Sequence, residues 1–289
     1  MNSFNINRFG QTFRWVVATN FRNFLAWTLG AGVGAFLMEM ILVALNIHSD
    51  GGNYVPLLYS FISQICQIAV IIFVLVAFST GFADYQKKPR REAFLMLPSS
   101  NLEKFLAVVI YVTVVWSLAG FLAFAIGDTL RMAVRALAYG NEWCSLVPRV
   151  LYMFSEIMPT FDDGTVVATI PYKVCAPIFV VGMLIWIHST YILGGTLLRK
   201  YAFVLSSLVI ISVFLLLAWL IHKFNLNVFY VDTLTVGQST QMFHKVGALG
   251  YFTTVALPIL SLFNYWASFR IFKGFQLITN KWTNYDILK

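Results

Sequence analysis

Apolar residues fill six stretches almost without interruption, at about 25–45, 59–82, 105–126, 174–198, 202–221 and 246–269, each at least 20 residues long with at most one ionisable residue. A helix of about 20 residues rises about 30 Å, enough to cross the hydrocarbon core of a bilayer. Membrane barrel strands would show alternating polarity over about 10 residues, and runs such as Ile68 to Phe78 do not alternate. The pattern therefore predicts an all-α polytopic membrane protein with six transmembrane helices. Composition agrees: 59% of the 289 residues are hydrophobic, only 11% are charged, and the mean hydropathy is +0.77. Soluble domains carry roughly 25% charged residues, so a soluble fold, a disordered chain and a coiled coil are excluded. The three cysteines, Cys66, Cys144 and Cys175, form neither a disulfide framework nor a metal spacing.

The polar segments between spans set the orientation. Fourteen of the twenty Lys and Arg residues fall in residues 1–22, the 83–104 loop, the Arg199–Lys200 connection and the C-terminal segment. The opposite loops hold the other six together with seven acids. By the excess of basic residues on the inner side, both termini are expected in the cytoplasm. The net charge of +8 is accounted for by this sidedness and by anionic lipid, and no nucleic-acid partner is expected. No cleavable leader is expected either, because the first apolar run is too long and lacks a small-x-small site. Residues 1–22 place Phe9, Phe13, Val16, Val17 and Phe21 at helical spacing, with Arg8, Arg14 and Arg22 elsewhere on the wheel. That is a basic amphipathic helix suited to the membrane interface, with Phe13 and Arg14 near its centre. It reads either as an anchor for the first span or as part of a docking surface.

The loop ADYQKKPRREAFLMLPSSNLEK, residues 83–104, carries four bases and then an unbroken apolar run from Ala93 to Leu97. Ser100 and Glu103 have capping-box spacing, which fixes the start of the third span. Pro98 stops any helix through Leu97, so a short helix from Arg91 to Leu97 and a sharp corner are predicted. Five apolar residues in a cytoplasmic loop favour burial at about 25 cal/mol per Å². They are expected to fold against the protein's own underside or to be covered by a partner. The loop at 127–172 is expected to form interfacial helices on the outer end, since structureless loops of that length are uncommon. The loop at 222–245 is expected to form a smaller cap, and residues 272–289 a cytoplasmic tail. Cys144 and Cys175 share the outer side and could pair, although two free thiols are the default expectation.

Chemistry is sparse. There is no P-loop, no H-E-x-x-H and no G-x-S-x-G, and His48, His188, His222 and His244 are scattered. No catalytic residue, bound cofactor or metal site is expected of this chain. Two ionisable residues fall inside spans, Glu39 in the first and His188 in the fourth. Such groups face the bundle interior or a cavity. Glu39 is the candidate for a substrate path or a cation, against a structural bond to a neighbouring helix; His188 reads as neutral and hydrogen-bonded. Pro177 and Pro258 can kink their spans without a functional reason.

The order of parts, with the loop ending LMLPSSNLEKFL (Leu95 to Leu106), resembles the membrane subunit of type 2 ATP-binding-cassette exporters, and is similar to transporter permeases of Bacteroidetes. The match is carried by Arg91 and Glu92, Leu95 to Leu97, Pro98 to Ser100, and Lys104. The resemblance implies that this loop is a coupling helix docking into a separate cytoplasmic P-loop ATPase subunit. Its coupling residues would be Arg91, Glu92, Phe94, Leu95, Leu97, Pro98, Ser99, Glu103 and Lys104. It implies ATP on that partner, a second permease subunit in a homo- or heterodimer, a bacterial cytoplasmic membrane and an interfacial helix that braces the loop. Unlike the family, the chain has its larger insertion between the third and fourth spans. A non-transporting membrane scaffold with an envelope partner is the rival reading, and an ion- or proton-coupled carrier the third.

Overall fold

Helix α1 runs without a break from Ile6 to Asp50, where the sequence reading separates an interfacial helix from the first span. No glycine or proline occurs between Gly10 and Gly30, so nothing interrupts the intrahelical hydrogen bonds there. In the computed structural model the described residues are 4–50, 56–82, 85, 88–139, 144–159, 166–198, 200–236 and 239–274. The tail expected at 272–289 lies, beyond Gly274, outside them. Among the described residues six helices are long and apolar enough to cross a membrane and one small sheet is present; the chain is an all-α, multi-pass membrane protein. It divides into two compact units, residues 1–81 with 93–155, and residues 82–92 with 156–289.

In the first unit α1 is followed by α2 (Pro56–Thr80), the last turns of the short α3 (Lys88–Leu95), and α4 (Asn101–Ile110). A single π-helical turn at Tyr111–Val115 leads from α4 into α5 (Trp116–Tyr139). The third span is thus a rod from Asn101 to Tyr139, whereas the sequence reading ends it at Ile126 and starts a loop at Gly127. Gly127 does not end the helix; it lets two helices touch. A Cβ there would lie 2.8 Å from the Ala35 Cβ and the Phe36 amide nitrogen and 2.9 Å from the Gly32 carbonyl. The first and third spans run parallel in register, from Arg8 beside Glu103, through Phe24 beside Trp116, to Glu39 beside Arg131. Helix α6 (Val147–Ser155) folds back onto α2, where Leu146 and Val150 join Val43, Tyr59, Ile62, Cys66, Val70 and Phe124 in the core. This is the helix expected in the long loop.

The second unit contains α7 (Ile170–Leu197), α8 (Ala202–Phe224) and α9 (Ala248–Lys273). It also holds a sheet absent from the sequence reading: β1 (Val166–Ala168), β2 (Phe229–Val236) and β3 (Ser239–Val246), in the order β1-β3-β2. Strands β2 and β3 form a hairpin; β1 lies parallel to β3, with Ala168 opposite His244. Each parallel strand leads into a helix, so α7 and α9 start side by side and run in the same direction. The 76-residue offset of the strand register becomes an offset of 77 where His188 meets Tyr265. The stretch 229–246 is rich in Phe, Tyr, Val and Thr, a β signal masked by its place between two membrane spans.

Candidate functional site

The capped corner between α3 and α4 is built from its own sequence. Ser100 caps α4: the Glu103 amide donates to Ser100 Oγ at 3.3 Å, and the Ser100 amide donates to Glu103 Oε2 at 2.7 Å. The second carboxylate oxygen is spent on the chain's beginning, accepting from the Asn5 amide at 2.8 Å and from Arg8 Nη2 at 3.1 Å. Lys104 donates from Nζ to the Leu95 carbonyl at 2.9 Å, satisfying an end carbonyl of α3. Phe94 is buried and its ring lies 5.9 Å from that of Trp15. Arg91 is buried and donates from Nε to the Tyr85 carbonyl at 3.4 Å.

The apolar run therefore divides. Phe94 turns into the protein, Leu95 and Leu97 are half-buried, and Met96 stands out with 85% of its surface exposed. Glu92, Ala93 and Pro98 are exposed and Ser99 is half-buried. Of the predicted coupling residues, Phe94, Glu103 and Lys104 build the corner, and Met96, absent from that set, is its most exposed apolar side chain. Its position in the run is the only sequence signal for it. Phe13 is half-buried against Phe9, with ring centroids 6.2 Å apart, and Arg14 is exposed.

Glu39 sits in a second cluster, at the far end of the parallel pair. Its side chain is fully buried; Oε2 accepts from Arg131 Nε at 2.8 Å and Oε1 lies 3.9 Å from Cys66 Sγ. Arg131 Nη2 bonds Asp128 Oδ1 at 2.5 Å and the Cys144 carbonyl at 2.6 Å. Asp128 Oδ2 accepts from Ser145 Oγ at 2.7 Å and from the Leu146 amide at 3.0 Å. The guanidinium carbons of Arg131 and Arg135 lie 5.7 and 5.9 Å from the Tyr59 ring centroid, and Arg135 Nη1 donates to the Tyr59 hydroxyl at 2.7 Å. The network ties α1, α2, α5 and the start of α6 together through charge-assisted hydrogen bonds. Sequence reasoning found Glu39 and missed its partners by ending the helix at Ile126. Asp128, Arg131 and Arg135 are three and four residues apart, the spacing of one helix face.

Within the described residues of α7, α8 and α9 the buried polar side chains are all Ser and Thr hydroxyls. His188 Nδ1 and the Tyr265 hydroxyl are 2.5 Å apart, and Asn264 Nδ2 donates to Ser189 Oγ and Thr190 Oγ1, both at 3.2 Å. Tyr191 and Ser207 share a hydrogen bond of 2.8 Å between α7 and α8. His188 is thus hydrogen-bonded to a neighbouring span. All three cysteines are free thiols. Among the described residues, no group of three or more His, Cys, Asp or Glu side chains is placed to hold a metal ion. Comparison of the chain with protein-family models, with curated proteins and with solved structures gives no match.

Proposed function

We propose that this chain is the permease subunit of an ATP-binding-cassette exporter in a bacterial cytoplasmic membrane, working with a separate ATPase and a second permease subunit. The observation that carries the reading is the corner after α3. A short helix ends at an exposed methionine and a proline, while a capping box, an ion pair to the start of α1 and a lysine on the Leu95 carbonyl hold the corner rigid. A rigid, partly apolar projection suits transmission of force from a docked subunit to α4 and, through Glu103, to α1. In this reading Met96, Ala93, Glu92 and Pro98 meet the ATPase. Arg91, Phe94, Glu103 and Lys104 hold the loop's shape, with Phe13 and Arg14 on the helix that braces it. Glu39, bound to Arg131, joins spans rather than lining the substrate path.

Because Phe94 is buried, a charge placed there tests folding. The informative variant is Met96→Asp with Ala93→Asp. Tagged full-length chain is purified in mild detergent, and co-purified proteins and ATP hydrolysis are measured. A P-loop ATPase is expected with the wild type and is expected to be lost from the variant at unchanged thermal stability. A well-folded wild type that brings down no ATPase, and a variant with the same partners, would overturn the reading in favour of a membrane scaffold.

A further inference from the structure

The hydrogen bond from the Asn5 amide to Glu103 Oε1, 2.8 Å long, sets the starts of α1 and α4 side by side. Asn5 is itself the cap of α1: its Oδ1 accepts from the amides of Asn7 at 2.9 Å and Arg8 at 3.3 Å. The carboxylate that completes one capping box therefore also holds the cap of the other helix, and the two ends form one tip. Phe4 and Ile6 flank Asn5, and Leu102 adjoins Glu103, so three large apolar side chains come to this tip. They are 48%, 66% and 41% exposed.

Distance decides what they face. Helix α1 is unbroken from Ile6, and its pairing with the third span runs from Arg8 beside Glu103 to Glu39 beside Arg131. Its first turns thus continue the direction of the span. The apolar run of α1 begins after Arg22 and Asn23. From Arg22 back to Asn5 is 17 residues, about 26 Å of helix. A tilt of about 40°, the upper end for membrane helices, still leaves about 20 Å. The headgroup layer is only about 5–8 Å deep on each side. The tip stands clear of the bilayer, in water, where covering its apolar side chains is favourable by about 25 cal/mol per Å². Lipid does not reach it.

Charge selects among protein surfaces. Residues 4–20 and 93–108 hold Arg8, Arg14 and Lys104 against one acid, Glu103, which is buried and bound to Arg8. Arg14 is exposed. A second copy brings the same positive excess, and residues 275–289 of this chain carry Lys281 and Lys289 against Asp286. Neither complements a cationic rim, whereas an acidic surface does.

We propose that the tip bearing Phe4, Ile6 and Leu102 is a second docking surface for the cytoplasmic ATPase subunit, received by an apolar pocket with an acidic rim. The inference rests on the permease reading and adds the start of α1 to what that subunit grips. Full-length chain carrying the photo-cross-linker p-benzoylphenylalanine at Ile6 or Leu102 is irradiated in native membranes, and cross-linked peptides are mapped by mass spectrometry. Cross-links are expected to the P-loop ATPase that co-purifies with the wild type, at a segment rich in Asp and Glu. Ile6→Asp places a carboxylate in the first turn of a helix, where it is tolerated. It is expected to lower ATPase recovery about tenfold, equivalent to about 1.4 kcal/mol, at unchanged thermal stability. Ile6→Lys keeps an alkyl stem under a positive head and is expected to retain about half of the recovery. With an ATPase still recovered by the wild type, three outcomes would overturn the docking surface and leave the permease reading standing. These are cross-links to lipid, to residues 275–289 or to a second copy; recovery indifferent to Ile6→Asp; and equal losses with aspartate and lysine. A wild type that recovers no ATPase overturns both.

Discussion

The two units each pair a first and a third span in parallel, yet hold the pair by opposite means. In the first unit the contact between α1 and α5 is ionic, with Glu39, Asp128 and Arg131 all fully buried. In the second, α7 and α9 are joined by amides, hydroxyls and an imidazole. Buried charges are costly to desolvate and repay that cost only while every partner is present. Neutral hydrogen bonds between membrane helices contribute on average about 0.6 kcal/mol. The first unit should therefore be brittle toward single substitutions and the second tolerant.

The sharpest way to break the contrast is Arg131→Leu. It strands two buried carboxylates and is expected to cost about 3–5 kcal/mol, read as a large fall in the thermal unfolding midpoint in detergent. Combining it with Glu39→Gln and Asp128→Asn should recover part of that loss, and a triple variant no better than the single would contradict the ionic account. Next in size is Gly127→Ala, whose methyl would press on the Gly32 to Phe36 backbone and is expected to cost about 1–3 kcal/mol. Gly30→Ala, with nothing within 4 Å of the new carbon, should be neutral or stabilising by about 0.5–1 kcal/mol. A similar penalty at both glycines would show that close approach is not the cause.

In the second unit Asn264→Leu should lower stability by about 0.6 kcal/mol and no more than about 1.7. A loss as large as that of Arg131→Leu would erase the comparison. The smallest effect belongs to the surface pair Lys245–Asp232, at 2.6 Å. The lysine's hydrogen bond lowers the Asp232 pKa, and the aspartate's raises that of Lys245. What the aspartate contributes is present above its unfolded value and lost as pH falls through its folded one. The lysine's share is present below its unfolded value and lost as pH rises through the raised one. Both side chains are more than a third exposed, so solvent screens the pair, and Lys245→Ala should leave the unfolding midpoint unchanged from acid to alkaline pH.

Most of the fold was legible because lipid imposes a long, uniform apolar run on every span, and the Ser100–Glu103 box announced itself by spacing alone. What escaped were extensions of helices beyond the apolar runs. Helix α5 continues for thirteen residues past Ile126, and its Asp128, Arg131 and Arg135 read as loop charges to any criterion based on hydropathy. The division of the 93–97 run into inward Phe94 and outward Met96 was equally hidden, because it depends on Trp15 of a distant segment. The sheet went unread because its strands lie between spans and β1 is only three residues long.

The register of the first unit also sets an order in time. Glu39 and Arg131 are 92 residues apart, so a ribosome adding about 5–20 residues per second completes the first span roughly 5–20 s before its counter-ion exists. Throughout that interval the nascent helix carries an acid without its arginine, and the first unit cannot lock until the far end of α5 has emerged.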